Sequence, residues 1–499
     1  MEYTAQTTSP PINGEAKITI GDSALAVASL FDTIEIAFAE INALVLADYV
    51  ITIKTDSGDY AFARMGNWCQ PFYDELRNAY HKAVLRSLFI KDSPILTANG
   101  NYHYSESGID SKGAARIQVF ENSVATLPPN LSARRVPLCF VSAMDKGDFE
   151  LTLKLDTNER YSYAKLGYDT TTFAEAVEKQ IRKLREETLV AVMEIDPFIT
   201  TTQASQLARL MPRGAAAPIG QLAEIAPSFA TALEDKIAAT RAAESYLAFK
   251  ELCDPAKIWV GFRKNNAPKE GSASNMSGAT NDPAVGIFSS LTENGNPLEA
   301  LNAIATGSTD VSEADAPKQD PFLLWLIAPS PDEHLAAVEF AEANSATFIY
   351  RTGGDFSGFA RQLNRALEAI NFKREVIRLS DTELLKPENA DYYMAAKRTV
   401  ALQLVRSSFV GRVIHSSPEK WRGNLLGYFE GRSTSVAKQA PTETVCATCG
   451  KTNAIRTKFC GECGCKIEVA TPTSLTCPNC NAQITTTTKF CGECGNKRL

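Results

Sequence analysis

Histidine is scarce in this chain: four residues, His81, His103, His334 and His415, in 499. That leaves little material for imidazole acid–base chemistry. A basic excess is also missing, since the formal charge is −7, which argues against general polyanion binding. No run of about 18 apolar residues exists, so no membrane-spanning helix is expected. The start, Met1-Glu2-Tyr3-Thr4-Ala5-Gln6, lacks the basic and apolar regions of a secretory signal. A disulfide framework is absent too. Only Cys69, Cys139 and Cys253 lie in the body of the chain, and the other nine of twelve cysteines fall within 446–499. That distribution fits a reducing compartment, and the cytoplasm is the expected location. No nucleophile–base–acid set stands out, so the chain is expected not to be an enzyme, and no small-molecule substrate is indicated.

What is present is clearest at the end. Cys446, Cys449, Cys460 and Cys463 make C-x2-C-x10-C-x2-C, and Cys477, Cys480, Cys491 and Cys494 repeat that spacing. Lys-Phe-Cys-Gly-Glu-Cys-Gly occurs in both units, from Lys458 and from Lys489. Two close pairs of thiolates suit the tetrahedral, soft-ligand preference of zinc. Gly450, Gly464 and Gly495 follow the second cysteine of three pairs and Asn481 that of the fourth, where the chain often turns with positive φ. A unit this small cannot bury enough surface to fold alone. Metal binding would supply the stability, and two structural Zn2+ are expected. Four cysteines per site leave no open position for catalysis. The ninth, Cys465, is surplus. These residues resemble the short zinc ribbons of bacterial and archaeal proteins, often a double ribbon at a chain end. The resemblance implies protein contacts and sometimes nucleic-acid contacts. From Thr442 the tail carries seven Lys/Arg and four Glu, and each four-cysteine zinc centre adds about −2. The tail is therefore close to neutral and a weak phosphate trap.

Upstream, a pattern recurs. Tyr49 to Lys54 alternates as a strand, Asp56–Asp59 turns, Tyr60–Arg64 returns, and after Gly66 a helix follows with Phe72, Leu76, Tyr80 and Val84 on one face. At an offset of 101 residues, Tyr60, Arg64, Gly66, Phe72 and Leu76 match Tyr161, Lys165, Gly167, Phe173 and Val177; the earlier strand matches at an offset of 100. This reads as two copies of one small domain. A third copy is suggested by Arg351, Gly353, Phe359 and Leu363. Strand–turn–strand, glycine, then an amphipathic helix resembles the pleckstrin-homology-like fold, a small antiparallel barrel closed by a C-terminal helix. That resemblance implies binding of lipid head groups, peptides or proteins. Lipid binding there needs basic residues on an early hairpin, whereas Phe31–Asp48 carries Asp32, Glu35, Glu40 and Asp48 and no Lys or Arg.

The fold class expected is α+β: tandem small antiparallel barrel-and-helix domains with helical connectors and two C-terminal zinc ribbons. The expected boundaries are a flexible lead-in 1–14, a first domain 15–98 and a second 112–196. A helical connector 197–252 follows, then a mixed α/β unit 253–432 with a disordered insertion 265–318. A linker 433–445 leads to ribbons at 446–467 and 474–499. Within 396–432, Lys397, Arg398, Arg406, Arg412, Lys420, Arg422 and Arg432 face only Glu419 and Glu430. The leading expectation is a non-enzymatic zinc-binding adaptor for a protein partner. The alternatives are nucleic-acid binding through the ribbons and 396–432, and peripheral membrane association through the repeated domains.

Overall fold

The computed structural model describes residues 2–9, 11–106, 108–264, 322–341, 346–415 and 417–430, and the backbone of four short strands in the tail. The first strands are β1 (Glu2–Ser9), β2 (Ile12–Ile20), β3 (Ala24–Ala28) and β4 (Thr33–Ala37). After them come β5 (Ile41–Ala47), β6 (Val50–Thr55), β7 (Asp59–Ala63) and helix α1 (Cys69–Ser87). They form one antiparallel sheet in the order β4-β3-β2-β1-β7-β6-β5.

The next stretch repeats the plan. Its strands are β8 (Leu96–Glu106), β9 (Ile109–Val119), β10 (Ser123–Leu127) and β11 (Arg134–Pro137). β12 (Val141–Lys146), β13 (Glu150–Leu155) and β14 (Arg160–Ala164) then precede helix α2 (Asp169–Ile195). The sheet order is β11-β10-β9-β8-β14-β13-β12, the same sequence of neighbours as in the first.

Period-two burial builds these strands: in β6, Ile51 and Ile53 are buried while Lys54 is exposed. Period 3.6 builds the helices. α1 buries Phe72, Leu76, Tyr80 and Val84, and α2 buries Phe173, Val177, Ile181 and Leu184. Each such side chain contributes roughly 1.5–3 kcal/mol on burial. The strand-to-helix connections also coincide: Arg64 and Lys165 both have φ +57°, and Gly66 and Gly167 have φ +56° and +64°. Glycine takes that conformation without strain.

Two stretches differ from the sequence reading. Residues 2–9, read as part of a lead-in, form β1, which pairs with β2 along its length and with β7 through Gln6 and Thr7. Its inward residues Tyr3, Ala5 and Thr7 are mostly small or polar, so the alternation is faint in sequence. Residues 99–106 and 109–111, left between the domains, belong to β8 and β9. Gly100 masks that strand in sequence and is needed there, because a Cβ would sit 2.6 Å from Leu166 and 2.7 Å from the Ala164 carbonyl oxygen.

Residues 197–252 carry α3 (Thr201–Leu210), α4 (Ile219–Ile225), α5 (Pro227–Ala238) and α6 (Ala243–Leu252). A capping box of Thr200 and Gln203 starts α3. A third sheet runs in chain order: β15 (Ala217–Pro218), β16 (Trp259–Lys264), β17 (Phe322–Pro329), β18 (Leu335–Phe340), β19 (Ala346–Arg351) and β20 (Phe409–Ile414). Helix α7 (Phe356–Ala369) follows β19, and β20 arrives only after α8 (Ala390–Arg398) and α9 (Val400–Ser408). In the first two sheets the opening strand lies beside the closing one; here β20 holds that place next to β19. Helix α10 (Pro418–Phe429) ends the described body. The insertion expected at 265–318 and the linker residues 433–442 lie outside the described residues.

Candidate functional site

All eight candidate zinc ligands, Cys446, Cys449, Cys460, Cys463, Cys477, Cys480, Cys491 and Cys494, lie outside the described residues. The strands flanking the first cysteine pair of each unit are described. β21 (Glu443–Val445) pairs antiparallel with β22 (Thr452–Ala454), and β23 (Leu475–Thr476) with β24 (Gln483–Ile484). The donor set, four thiolates per unit at matched spacing, fits zinc. Among the described residues no cluster of three or more His, Cys, Asp or Glu could hold a metal.

The three cysteines whose side chains are described are poor nucleophiles. Burial raises the Cys69 and Cys139 thiols, and pushes Cys253 up to about 12. His81 is buried, and burial, then Arg116 and Arg77, lowers it to about 3. His103 pairs with Asp110 at the surface. His415 Nε2 lies 3.1 Å from Glu339. The neighbouring Thr347 hydroxyl donates to Glu339 at 2.6 Å and accepts from Trp421 Nε1 at 2.8 Å. Thr347 is fully buried, so its hydroxyl is a structural link and not an accessible nucleophile.

The basic segment 396–432 is largely engaged. Lys397 binds Asp56 and Asn42, Arg398 is buried against Tyr80, Arg406 binds Asp381 and two carbonyls, and Arg422 pairs with Glu251. Trp421 is buried. Arg432 lies outside the described residues.

The features that remain are the sheet edges. β5 and β12 occupy matching edges, and both carry a bulge at the same register, between Ile41/Ala43 and Val141/Ala143. The β5 edge is occupied. Leu44 N–H donates to the Pro129 carbonyl at 2.8 Å, and Leu131 N–H donates to the Asn42 carbonyl at 3.0 Å. Ala43 and Asn130 thus form an antiparallel bridge with an extended segment from the β10–β11 connection. Helix α8 packs alongside. Its Lys397 reaches Asp56 at 2.8 Å, Tyr393 donates to the same carboxylate at 2.9 Å, and Arg398 donates to the Tyr80 hydroxyl at 2.6 Å. These contacts, Lys397 first among the hydrogen bonds, hold the Asp56 carboxyl below its ordinary range against the opposing effect of burial.

The β12 edge is open. Its strand neighbour is β13, and among the described residues nothing pairs with its other side. Ser142, Ala143 and Asp145 are exposed. Between β12 and α2 runs a depression of about 270 Å³ that includes Val141, Met144, Ile181 and Arg185. It shares Val141, Ser142 and Arg185 with a cleft of about 430 Å³ reaching Asp156, Thr188, Arg209 and Pro212. That cleft adjoins a third hollow of about 250 Å³ through Asp156 and Arg209, ending at Trp259 and Arg361. Burial around Asp156 pushes its carboxyl up to about 6, while Arg365 pulls the other way. Below this line lies a buried ionic layer. Arg365 of α7 makes paired bonds of about 3.1 Å to Glu159, Tyr161 donates to Glu159 at 2.8 Å, and Arg134 binds Glu106 at 3.0 Å. Glu368 binds Arg213 at 2.6 Å. The matched edges were within reach of the internal offset of 100 residues. Arg185, Arg209 and Arg361 were not, because they come from three separate helices.

No helix among the described residues is long and apolar enough to cross a membrane. No curated protein matches the chain. The family model for the double zinc ribbon matches residues 446–495, a stretch that contains all eight paired cysteines. The chain therefore joins antiparallel sheets and helices to a C-terminal zinc ribbon domain, which implies structural zinc.

Proposed function

We propose that this chain is a non-enzymatic scaffold that docks a protein segment on its second sheet and carries two structural zinc ions in its tail. The seven-stranded order with a closing helix supports the pleckstrin-homology-like reading of both sheets. The observation that carries the docking reading is the β12 edge. It is exposed and flanked by a cleft, whereas the matching β5 edge already holds an extended segment of the same chain. Exposed strand edges invite added strands, and several peptide-binding domains use them so. The zinc reading rests on eight thiolates at two identical spacings, and metal analysis of the purified chain should return two zinc ions.

A photo-crosslinking residue at Ala143, compared with one at Ala43, tests docking. In cells, position 143 should give a discrete crosslinked band and position 43 none beyond the chain itself. Crosslinks from a further photo-crosslinking residue placed within 446–499, with none from 143, would move the docking site to the ribbons.

A further inference from the structure

Resting on that docking reading, we infer that the β12 edge takes an extended segment with acidic side chains, added antiparallel to β12 with carboxylates facing Arg185, Arg209 and Arg361. The backbone half of the inference comes from the molecule itself. On β5 the outward groups are the Leu44 N–H and the Asn42 carbonyl, both satisfied by the segment at 129–131. β12 has the same register against its neighbour, with Met144 opposite Leu153 as Leu44 is opposite Ile53. The Met144 N–H and Ser142 carbonyl therefore point outward with the same spacing. An extended chain is the shape that fits them.

The charge half comes from the cleft wall. Arg209 and Arg361 have no ion-pair partner among the described residues, and Arg185 donates only to the Val141 carbonyl, at 3.3 Å. Of the carboxylates along the line, Glu178 is held by Lys146 at 2.6 Å. Asp156 is left, so three guanidinium groups face one available carboxylate. Guanidinium groups prefer carboxylates and phosphates to neutral groups. In the first sheet the match to Asp156 is Asp56, and there Lys397 neutralises the carboxylate. The second cleft instead carries surplus positive charge, and its occupant should differ in sign.

The test uses the full-length zinc-loaded chain and four probes. Three are nonapeptides alternating valine with glutamate, glutamine or lysine; the fourth is a ten-residue oligothymidine. Amide hydrogen exchange over 141–146 reports edge occupancy, and fluorescence anisotropy reports affinity. The glutamate peptide should slow exchange there and bind about tenfold or more tightly than the glutamine peptide. The triple variant Arg185→Glu, Arg209→Glu, Arg361→Glu should reverse the order in favour of the lysine peptide. All three residues have exposed side chains, and an unchanged melting temperature would show that the variant folds. Equal binding of the glutamate and glutamine peptides would overturn the acidic preference and leave strand docking standing. No peptide protecting 141–146 in either protein would overturn both. Protection by oligothymidine equal to that by the glutamate peptide would overturn the peptide assignment in favour of a polyanion.

Discussion

The two seven-stranded sheets share strand order, bulge and connection geometry, yet their matching edges have opposite fates. On β5 the chain closes the edge itself, with residues 129–131 added as a strand and α8 laid against Asp56 and Tyr80. On β12 no strand pairs with the outer side among the described residues, and α7 packs onto Arg135 and Glu159. A duplicated frame therefore has one edge that the chain fills itself and one that stays unpaired among the described residues. The buried groups beneath each groove should respond differently to perturbation.

The largest expected difference is in acid. His81 on α1 is buried and lowered to about 3, whereas the matching position on α2 is the exposed Arg182. A histidine lowered on folding stays neutral in the native state and takes up a proton on unfolding below about pH 6.5. Its contribution is thus fully present above pH 6.5 and is lost as pH falls toward 3, by up to about 4–5 kcal/mol. Urea melts from pH 7 to pH 4 should fall steeply for the native chain and less so for His81→Leu. Equal slopes would mean that His81 is not the acid-sensitive group.

Next comes the ionic layer under the second sheet. Arg365 is fully buried and Glu159 is its bidentate partner. Glu159→Gln keeps the shape but leaves a buried cation without its counter-charge, at a cost of about 3–5 kcal/mol. The double variant Glu159→Leu, Arg365→Met should recover most of that loss, because the desolvation penalty disappears with the pair. A denaturant midpoint unchanged in Glu159→Gln would show that the layer is dispensable.

Beneath the first sheet the buried cation is Arg398, and its side-chain partner is a neutral hydroxyl, Tyr80, with the Met394 carbonyl at 3.1 Å. Tyr80→Phe removes one hydrogen bond from a buried guanidinium and should cost about 1–3 kcal/mol. That is less than the loss expected from Glu159→Gln. A larger loss would mean that α8, not α7, is the principal clamp.

Much of this was legible in the sequence, unevenly. The hairpin–glycine–helix signal located β6, β7 and α1, and again β13, β14 and α2, because large apolar residues mark both periods there. β1 was hidden because Tyr3, Ala5 and Thr7 give a weak alternation, and β8 because Gly100 interrupts it. The zinc ribbon was legible because metal ligation fixes residue type and spacing together, and the family model falls on the same cysteines. The open edge was not legible. Asn42 and Ser142 occupy matching bulges, and nothing local distinguishes them; the difference is made by Asn130 and Lys397, both distant in sequence. For the same reason nothing local in the sequence signals that Lys397 pairs with Asp56 or that Arg398 is buried against Tyr80.

The smallest expected effect is the sharpest test of the comparison. Leu131 N–H is bonded to Asn42 at the closed edge, so Leu131→Pro should cost about 1–3 kcal/mol by leaving that carbonyl short of a partner. Met144→Pro acts on the open edge, where the N–H faces solvent. Proline is tolerated on such edges because no ladder bond is lost, and the change should stay within about 0.5 kcal/mol of wild type. The two substitutions are chemically alike, one in the segment added to the closed edge and one on the open edge itself, so comparing their losses reads whether each edge is paired. Comparable losses in thermal melts would mean that β12 is already paired within the chain, and the case for an outside segment would end there. A near-silent Met144→Pro that also abolishes protection of 141–146 by the glutamate peptide would place the missing partner on that edge.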